Sequence, residues 1–251
     1  MKKFVLIPLV FIISVALVFV AGLLYWREFG DLPVSDSVEK WGQFGDYIGG
    51  VLNPGLSFIS IILVCFTLYT TSRQSMIQSF ESVLFELIRY HKEHRDNIKV
   101  GYAEGTFRGV DALSWYITEV KFNFLNISDD ALPIQLRITS SIDLIYEEDG
   151  FFSNTGHYFR NLYHIFKHID EAGFLSRKEK LKYAKLVRAQ LSSIESGALM
   201  LNGLSTMGGK SKPYIQKYSL LQGFTLIGSF KAELKASGVM QLYLPEAFGD
   251  K

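Results

Sequence analysis

The sequence has almost no cysteine. Of its 251 residues only Cys65 is a cysteine, so neither an intramolecular disulfide nor a cysteine-based zinc site can form. It also lacks an excess of charge of one sign, because 26 basic side chains face 25 acidic ones. A generic polyanion binder needs a clear cationic excess, so that class is excluded and there is no strong nucleic-acid signal.

Two stretches lack charged residues altogether, residues 4–26 and residues 54–72. The first would make about 34 Å of helix, enough to cover a hydrocarbon core of roughly 30 Å, and the second lies near the lower length limit for a span. A cleaved signal peptide is the alternative for the first run. It is disfavoured because the run is longer than the apolar core of such peptides and ends in Tyr25 and Trp26.

We therefore predict a transmembrane hairpin of two helices over residues 1–72, with spans at about 4–26 and 54–72. The connector, residues 27–53, has five acidic and two basic side chains, whereas lysine or arginine residues flank the other end of each span. The positive-inside rule then places both termini in the cytoplasm. Neither span has an ionisable side chain, which argues against a transporter. The lipid bilayer is the first expected partner.

Aromatic residues and a helix-capping pair mark the ends of the predicted spans. The aromatic rings are of the type that lies at headgroup depth, and the connector rings would sit on an interfacial helix. The Asn-Pro pair has the residue types of a helix cap and a first helical position, so the second span is expected to begin there. These membrane-interface residues are Trp26, Trp41, Phe44, Tyr47, Asn53 and Pro54.

Small hydroxyl side chains form a stripe near one face of the second span. Such a stripe suits close packing of helices. The partner is either the first span or another copy of the chain; we expect a homo-oligomer, and a pore stays open as an alternative. The stripe consists of Ser57, Ser60, Thr67 and Thr71.

From residue 73 to residue 251, apolar residues recur every three or four positions, which is typical of amphipathic helices. Alternation with period two is almost absent, and a Gly-containing stretch at 101–109 predicts a break. The predicted fold class is therefore all-α, with the hairpin followed by a helical cytoplasmic domain. We expect the first helix to continue from the second span through 74 to about Asn97. Further helices are expected over about 110–122, 131–147, 156–170, from Ser176 to about Gly203, and from about Pro213 to Leu234.

A polar stripe runs along the predicted helix 156–170. Two histidines four residues apart could share a metal ion, but the rest of a zinc motif is missing, so we predict neither a metal nor a cofactor. The stripe is expected to be either a polar seam that bonds to the next helix or a ligand site. The candidates on the first helix are His157, Arg160, Asn161, His164 and His168, and those on the next are Arg188, Gln190, Ser192 and Glu195.

The segment RYHKEH contains Arg89 and His94, a spacing that resembles the residue pair of HEPN ribonucleases. In that class the histidine acts as a general base and the arginine stabilises phosphate charge. A solvated helix face explains the segment equally well. No nucleophile elbow, phosphate-binding loop or dinucleotide fingerprint is present, so we expect that the chain is not an enzyme.

Four stretches together resemble the family of putative phage abortive infection proteins of the AbiC type. They cover most of residues 41–224, and the order of hairpin and helical domain also agrees. The resemblance implies a protein of the bacterial inner membrane that halts growth or kills the cell on phage infection. It supplies no set of catalytic residues. The stretches are WGQFGDYIGGVLNP (41–54), FESVLFELIRYHKEH (80–94), GHYFRNLYHIFKHID (156–170) and RAQLSSIE with the following NGL (188–204).

These observations lead to one main hypothesis of function and two alternatives. In the first, the cytoplasmic domain senses infection, directly or through a phage component or another host defence protein, and the hairpin acts as effector or anchor. The second is a membrane-tethered HEPN-like ribonuclease that uses Arg89 with His91 or His94. The third is a scaffold without catalytic activity that holds a partner at the membrane.

Overall fold

The computed structural model describes residues 3–102, 105–127, 132–148 and 151–249. The chain divides into two compact units, Met1–Gln78 and Ser79–Lys251. Helix dominates the described residues, which confirms the predicted all-α class apart from one short β-hairpin.

The first unit contains helix α1, Lys3–Phe29, and the first part of helix α2, Val38–Asn97. By length and composition both helices could cross a membrane. Within this unit the ring of Tyr25 lies 4.6 Å from that of Phe44. The Tyr47 hydroxyl donates to the Ala21 carbonyl oxygen at 3.3 Å.

Helix α2 does not begin where the sequence predicted. Asn53 and Pro54 lie inside it, so they neither cap a helix nor start one. A proline removes only one backbone hydrogen-bond donor, and the helical residues on both sides keep their own hydrogen bonds. Gly50, four residues before the proline, has no side chain that could add to the clash with the proline ring. As a consequence, the uncharged stretch within α2 extends over residues 47–72, about 39 Å of helix, which is ample for a span.

The second unit follows α2 with a β-hairpin and seven further helices among the described residues. Among the described residues one 3₁₀ turn lies between α7 and α8, and two follow α9. The elements are β1 Lys99–Tyr102, β2 Gly105–Arg108, α3 Gly109–Asn126, α4 Ile134–Glu148, α5 Phe151–Glu171, α6 Arg177–Arg188, α7 Ser193–Asn202, α8 Lys212–Lys217 and α9 Phe230–Ala236.

The β-hairpin occupies the stretch that was expected to be a simple break. Its strands are antiparallel, with Val100 opposite Phe107. Each strand has four residues, too few for alternation to stand out in the sequence. Gly105, the first residue of β2, has a φ of 141°, which side chains disfavour.

The predicted helix from Ser176 to about Gly203 is two helices. Ser176 caps α6 with Glu179 in a capping box, which confirms the predicted cap. A second capping box, Ser192 with Glu195, starts α7. Because a capping side chain satisfies the free N–H groups of a new helix, the second box stabilises a break that apolar periodicity does not reveal.

The predicted helix from Pro213 to Leu234 is also interrupted. Helix α8 ends at Lys217, and α9 starts only at Phe230. Between them Ser219, Gly223 and Gly228 have φ values of 54°, 77° and 59°, which are incompatible with a continuous α-helix.

The core of the second unit is built by α3, α4, α5 and α7, and α2 contributes Phe80 and Leu84 to it. Tyr116 and Tyr158 are fully buried within it. This core holds α2, α5 and α7 close enough for their polar side chains to meet.

Candidate functional site

A carboxylate is buried at the beginning of α7. Glu195 is 1% exposed, and its position follows from the capping box. Its Oε2 accepts a hydrogen bond from the Ser192 backbone N–H at 2.8 Å, and its own N–H donates to Ser192 Oγ at 3.2 Å. The other oxygen, Oε1, is left to contact α5 and α2.

Side chains from α5 and α2 converge on Glu195 Oε1. The Tyr158 hydroxyl of α5 donates to it at 3.1 Å. From α2, His91 Nε2 lies 3.9 Å away and Arg95 Nη1 4.0 Å away. We call Glu195, Tyr158, His91 and Arg95 the buried polar cluster; it joins three helices that are far apart in sequence.

Arg95 supplies the positive charge of the buried polar cluster, whereas His91 is neutral. The His91 ring stacks on Tyr158 with 4.6 Å between ring centroids, and neither ring nitrogen has a hydrogen-bond partner among the described residues. Burial, followed by repulsion from Arg95 and His94, lowers the pKa of His91 to about 4. At neutral pH the imidazole therefore carries no charge beside the carboxylate.

Tyr158 remains a protonated donor, because burial and then the nearby Glu195 carboxylate raise the pKa of its hydroxyl well above the ordinary value. Glu195, Tyr158 and His91 are all at most 5% exposed. A substrate could reach their polar atoms only if the helices separated. The geometry is thus that of a helix junction rather than of an open catalytic site.

Two of the predicted seam residues lie against α2. Asn161 is buried, and its Nδ2 donates to the Leu87 carbonyl oxygen at 2.9 Å. His168 Nε2 lies 3.2 Å from the Phe80 carbonyl oxygen, and its ring stacks on that of Phe80 at 4.6 Å. The polar stripe of α5 therefore contacts α2.

The predicted seam between α5 and residues 188–195 does not form. His157 and His164 are exposed, and Gln190 and Ser192 are exposed as well. The physical reason is that α2 occupies the polar face of α5, so the two halves of the predicted seam contact different elements. Among the hydrogen bonds of the described residues, Glu195 is joined to α5 by Tyr158, which was not among the predicted residues.

The two remaining seam arginines contact backbone carbonyls. Arg160 Nε donates to the Gly156 carbonyl oxygen on its own helix at 3.0 Å. Arg188 Nη1 donates to the Ser219 carbonyl oxygen at 3.0 Å, in the turn after α8.

Arg89 and His94 do not converge. Five residues along a helix correspond to about 140° of rotation, so their side chains leave α2 in different directions. Arg89 is exposed and forms ion pairs with Glu86 and, at 3.7 Å, with Glu93. His94 is half-buried and stacks on His157 at 5.9 Å.

The predicted interface aromatics of the first unit lie on α1 and α2. Trp26 is 74% exposed, and Trp41 is 56% exposed with its Nε1 donating to the Ser35 carbonyl oxygen. Phe44 and Tyr47 pack against Tyr25. Within the described part of the chain, no group of three or more His, Cys, Asp or Glu side chains could hold a metal ion.

Sequence reasoning missed the buried polar cluster. His91 occupied an apolar position in the periodic pattern of α2, and Tyr158 lay beside the histidine stripe. The signal that could have drawn attention to His91 is a titratable residue at an apolar position of a periodic helix. The helix face that contains this position is buried, so the side chain is expected to be buried with it.

Residues 152–226 match the model of the family described as putative phage abortive infection protein. The match contains most of α5 and all of α6, α7 and α8, and it confirms the resemblance of this part of the chain to that family. It includes Tyr158, Asn161 and Glu195, whereas His91 and Arg95 lie outside it. No curated protein and no solved structure matches the chain.

Proposed function

We propose that the chain is a membrane-anchored abortive infection protein of bacteria, in which the helical unit senses phage infection and the two apolar helices act as membrane effector or anchor. The observation that carries the proposal is the family match over residues 152–226. This segment contributes Glu195, Tyr158 and Asn161 to the contacts with α2 described above.

The apolar helices support the membrane part of the proposal. Large apolar side chains cover their surface and are exposed, among them Phe11 at 69%, Phe19 at 68%, Phe58 at 65% and Leu68 at 64%. Continuous apolar surface of this extent is unstable in water, and lipid would cover it. By the positive-inside rule both termini would lie on the cytoplasmic side of the inner membrane.

Helix α2 supports a link between sensing and effect. The same helix contains the uncharged stretch 47–72 and the residues that contact α5 and α7. A phage component or another host defence protein that binds α5 to α8 would compete with or strengthen these contacts and so act on α2. The effect on the membrane, directly or through a homo-oligomer, would then stop growth of the infected cell.

The ribonuclease alternative receives no support from the geometry, because Arg89 is neutralised by Glu86 and Glu93 and points away from His94. The scaffold alternative remains an outcome of the experiment below.

The test is phage challenge of a bacterial host that carries the full chain or a charge variant of α2. The double variant Ile62→Arg, Phe66→Arg places two charges in the uncharged stretch. These charges make membrane insertion less favourable by about 5–7 kcal/mol. Val83→Lys is the matched control, because Val83 is also exposed on α2 but lies in the second unit. We expect the double variant to lose both membrane fractionation and protection, and the control to keep both.

Three results would contradict the proposal, each in a different part. Absence of protection by the unaltered chain against a panel of unrelated phages would remove the defence function. Full protection by a double variant found only in the soluble fraction would remove the membrane role. Protection with growth continuing in infected cells would favour the scaffold alternative over abortive infection.

Topology is tested separately with reporters that are active only in the cytoplasm. A fusion after Lys251 should be active, and a fusion within residues 30–40 should be inactive. Activity of the second fusion would overturn the proposed orientation.

A further inference from the structure

A pocket of about 330 Å³ lies at the junction of α6 and α7. Lys185 and Arg188, from the last turn of α6, form one side of it. Ser193 and Ser196 of α7 line it as well, as do Gln222 and Gly223 of the turn between α8 and α9. The lining contains two cations and no acidic residue.

Backbone contacts hold the walls of the pocket together. The Thr225 N–H donates to the Ser193 carbonyl oxygen at 3.0 Å, which ties the turn to α7. The two segments approach so closely at Gly197 that a Cβ there would lie 2.2 Å from the Thr225 carbonyl oxygen. Arg188 is anchored by its bond from Nη1 to Ser219, and this leaves the rest of the guanidinium fork for another acceptor. The pocket is therefore a formed part of the fold.

The positively charged donors around the pocket have no negatively charged acceptor among the described residues. Within the described part of the chain neither Lys185 nor Arg188 forms an ion pair, and Arg188 bonds to a backbone carbonyl oxygen. The capping box satisfies the Ser192 and Glu195 N–H groups, whereas the N–H groups of Ser193 and Ile194 have no hydrogen-bond partner among the described residues. Cations and a helix start together favour an anion.

Ser196 gives an independent indication of a ligand. It is 4% exposed, lines the pocket, and its hydroxyl has no hydrogen-bond partner among the residues that the structure describes. Other buried hydroxyls bond to their own helix, as Thr155 Oγ1 does to the Phe151 carbonyl oxygen at 2.7 Å. Because Ser196 lines the pocket and its hydroxyl makes no bond within the described protein, that hydroxyl is available to a group bound there.

We infer that this pocket binds a phosphomonoester group, carried by a small soluble molecule or by a lipid headgroup. Its oxygens match the arginine fork, the lysine, the Ser196 hydroxyl and the free N–H groups of α7. A volume of about 330 Å³ admits a ligand the size of a small phosphate ester. Ala189 and Leu191 add an apolar part to the lining for the remainder of such a molecule. The inference concerns binding and is independent of the proposed defence function.

The test uses the purified full chain in phosphatidylcholine nanodiscs, titrated calorimetrically with AMP and, as a neutral control, adenosine. We expect saturable binding of AMP that weakens with salt, and none of adenosine. Nanodiscs that contain phosphatidic acid distinguish the two sources. If the lipid supplies the group, it competes with AMP, and if a soluble ester does, AMP binding is unchanged.

Variants locate the site. Arg188→Gln and Lys185→Gln should each raise the Kd for AMP by about tenfold or more, as expected for loss of a charge-assisted contact. Ser196→Ala should raise it severalfold. Lys182→Gln is the matched control, since Lys182 is exposed on the same helix but does not line the pocket.

Loss of folding is controlled for in both variants. Lys185 is exposed, so its replacement should leave the fold unchanged, and thermal unfolding shows whether the Arg188→Gln protein is folded. The inference is overturned if neither AMP nor phosphatidic acid binds. It is equally overturned if binding is unaffected by both Lys185→Gln and Arg188→Gln.

Discussion

Replacing Glu195 by alanine should destabilise the second unit far more than an equivalent change on its surface. The change removes half of the capping box that starts α7, a loss of about 0.5–2 kcal/mol. It also leaves the fully buried Tyr158 hydroxyl without its acceptor, at about 1–3 kcal/mol. Together these effects amount to about 2–5 kcal/mol, a large part of the stability of a typical domain.

The chain contains a matched control for this substitution. Glu179 occupies the same position in the capping box of α6, but that box is exposed. Glu179→Ala leaves no buried hydroxyl without its acceptor, so it should lower the stability less than Glu195→Ala, with a capping contribution of about 0.5–2 kcal/mol. Glu195→Gln should be milder than Glu195→Ala, because the amide oxygen can replace one of the two carboxylate oxygens and accept either from Tyr158 or from the Ser192 N–H.

The assay is thermal unfolding of the full chain in nanodiscs, followed by the fluorescence of Trp115, which packs against Phe151 in the second unit. For a unit of this size, 1 kcal/mol corresponds to about 2–4 °C, so Glu195→Ala should lower the Tm by about 4–20 °C. If Glu195→Ala and Glu179→Ala shifted the Tm equally, the assignment of Glu195 to a stabilising junction of three helices would be refuted.

Three further predictions follow from single residues. His91 has a pKa of about 4 in the folded chain, below its unfolded value, so stability should fall by about 3 kcal/mol as the pH falls from 6.5 through 4. His91→Phe should flatten this dependence in pH-dependent unfolding, whereas the exposed His164→Phe should preserve it. Gly197→Ala should lower the free energy of unfolding by about 1–3 kcal/mol, because the new Cβ would meet the Thr225 carbonyl oxygen. The control Gly173→Ala places a Cβ with nothing within 4 Å, so it should change the same quantity by no more than about 0.5 kcal/mol. Asn161→Ala removes the bond to α2, so urea unfolding should show a loss of about 1 kcal/mol, and an unchanged midpoint would mean that this bond contributes nothing.

Those features that depend on local composition were predictable from the sequence. The absence of charge from residues 4–26 and 54–72 predicted two apolar helices, and the period of three to four predicted a helical second unit. The cap at Ser176 was also predictable, because a capping box is a local interaction between residues three positions apart.

Helix boundaries were less predictable where two local tendencies compete. Pro54 predicted a helix start but lies inside α2, because the helix on either side compensates for one missing N–H. The apolar periodicity continues through Ser192 and Glu195, but the helix does not. The capping bonds between these two residues start a new helix, α7, at this point.

Only the tertiary structure decided which polar residues meet. The sequence placed His157, Asn161 and His164 on one stripe but could not show that α2, from a distant part of the chain, covers Asn161 and leaves His164 exposed. The contact between Glu195 and His91 spans about a hundred residues of sequence, and no periodicity encodes such a pairing. It arises because the apolar faces of α2, α5 and α7 must pack into one core, and burial then brings together whichever polar groups lie at the edges of those faces.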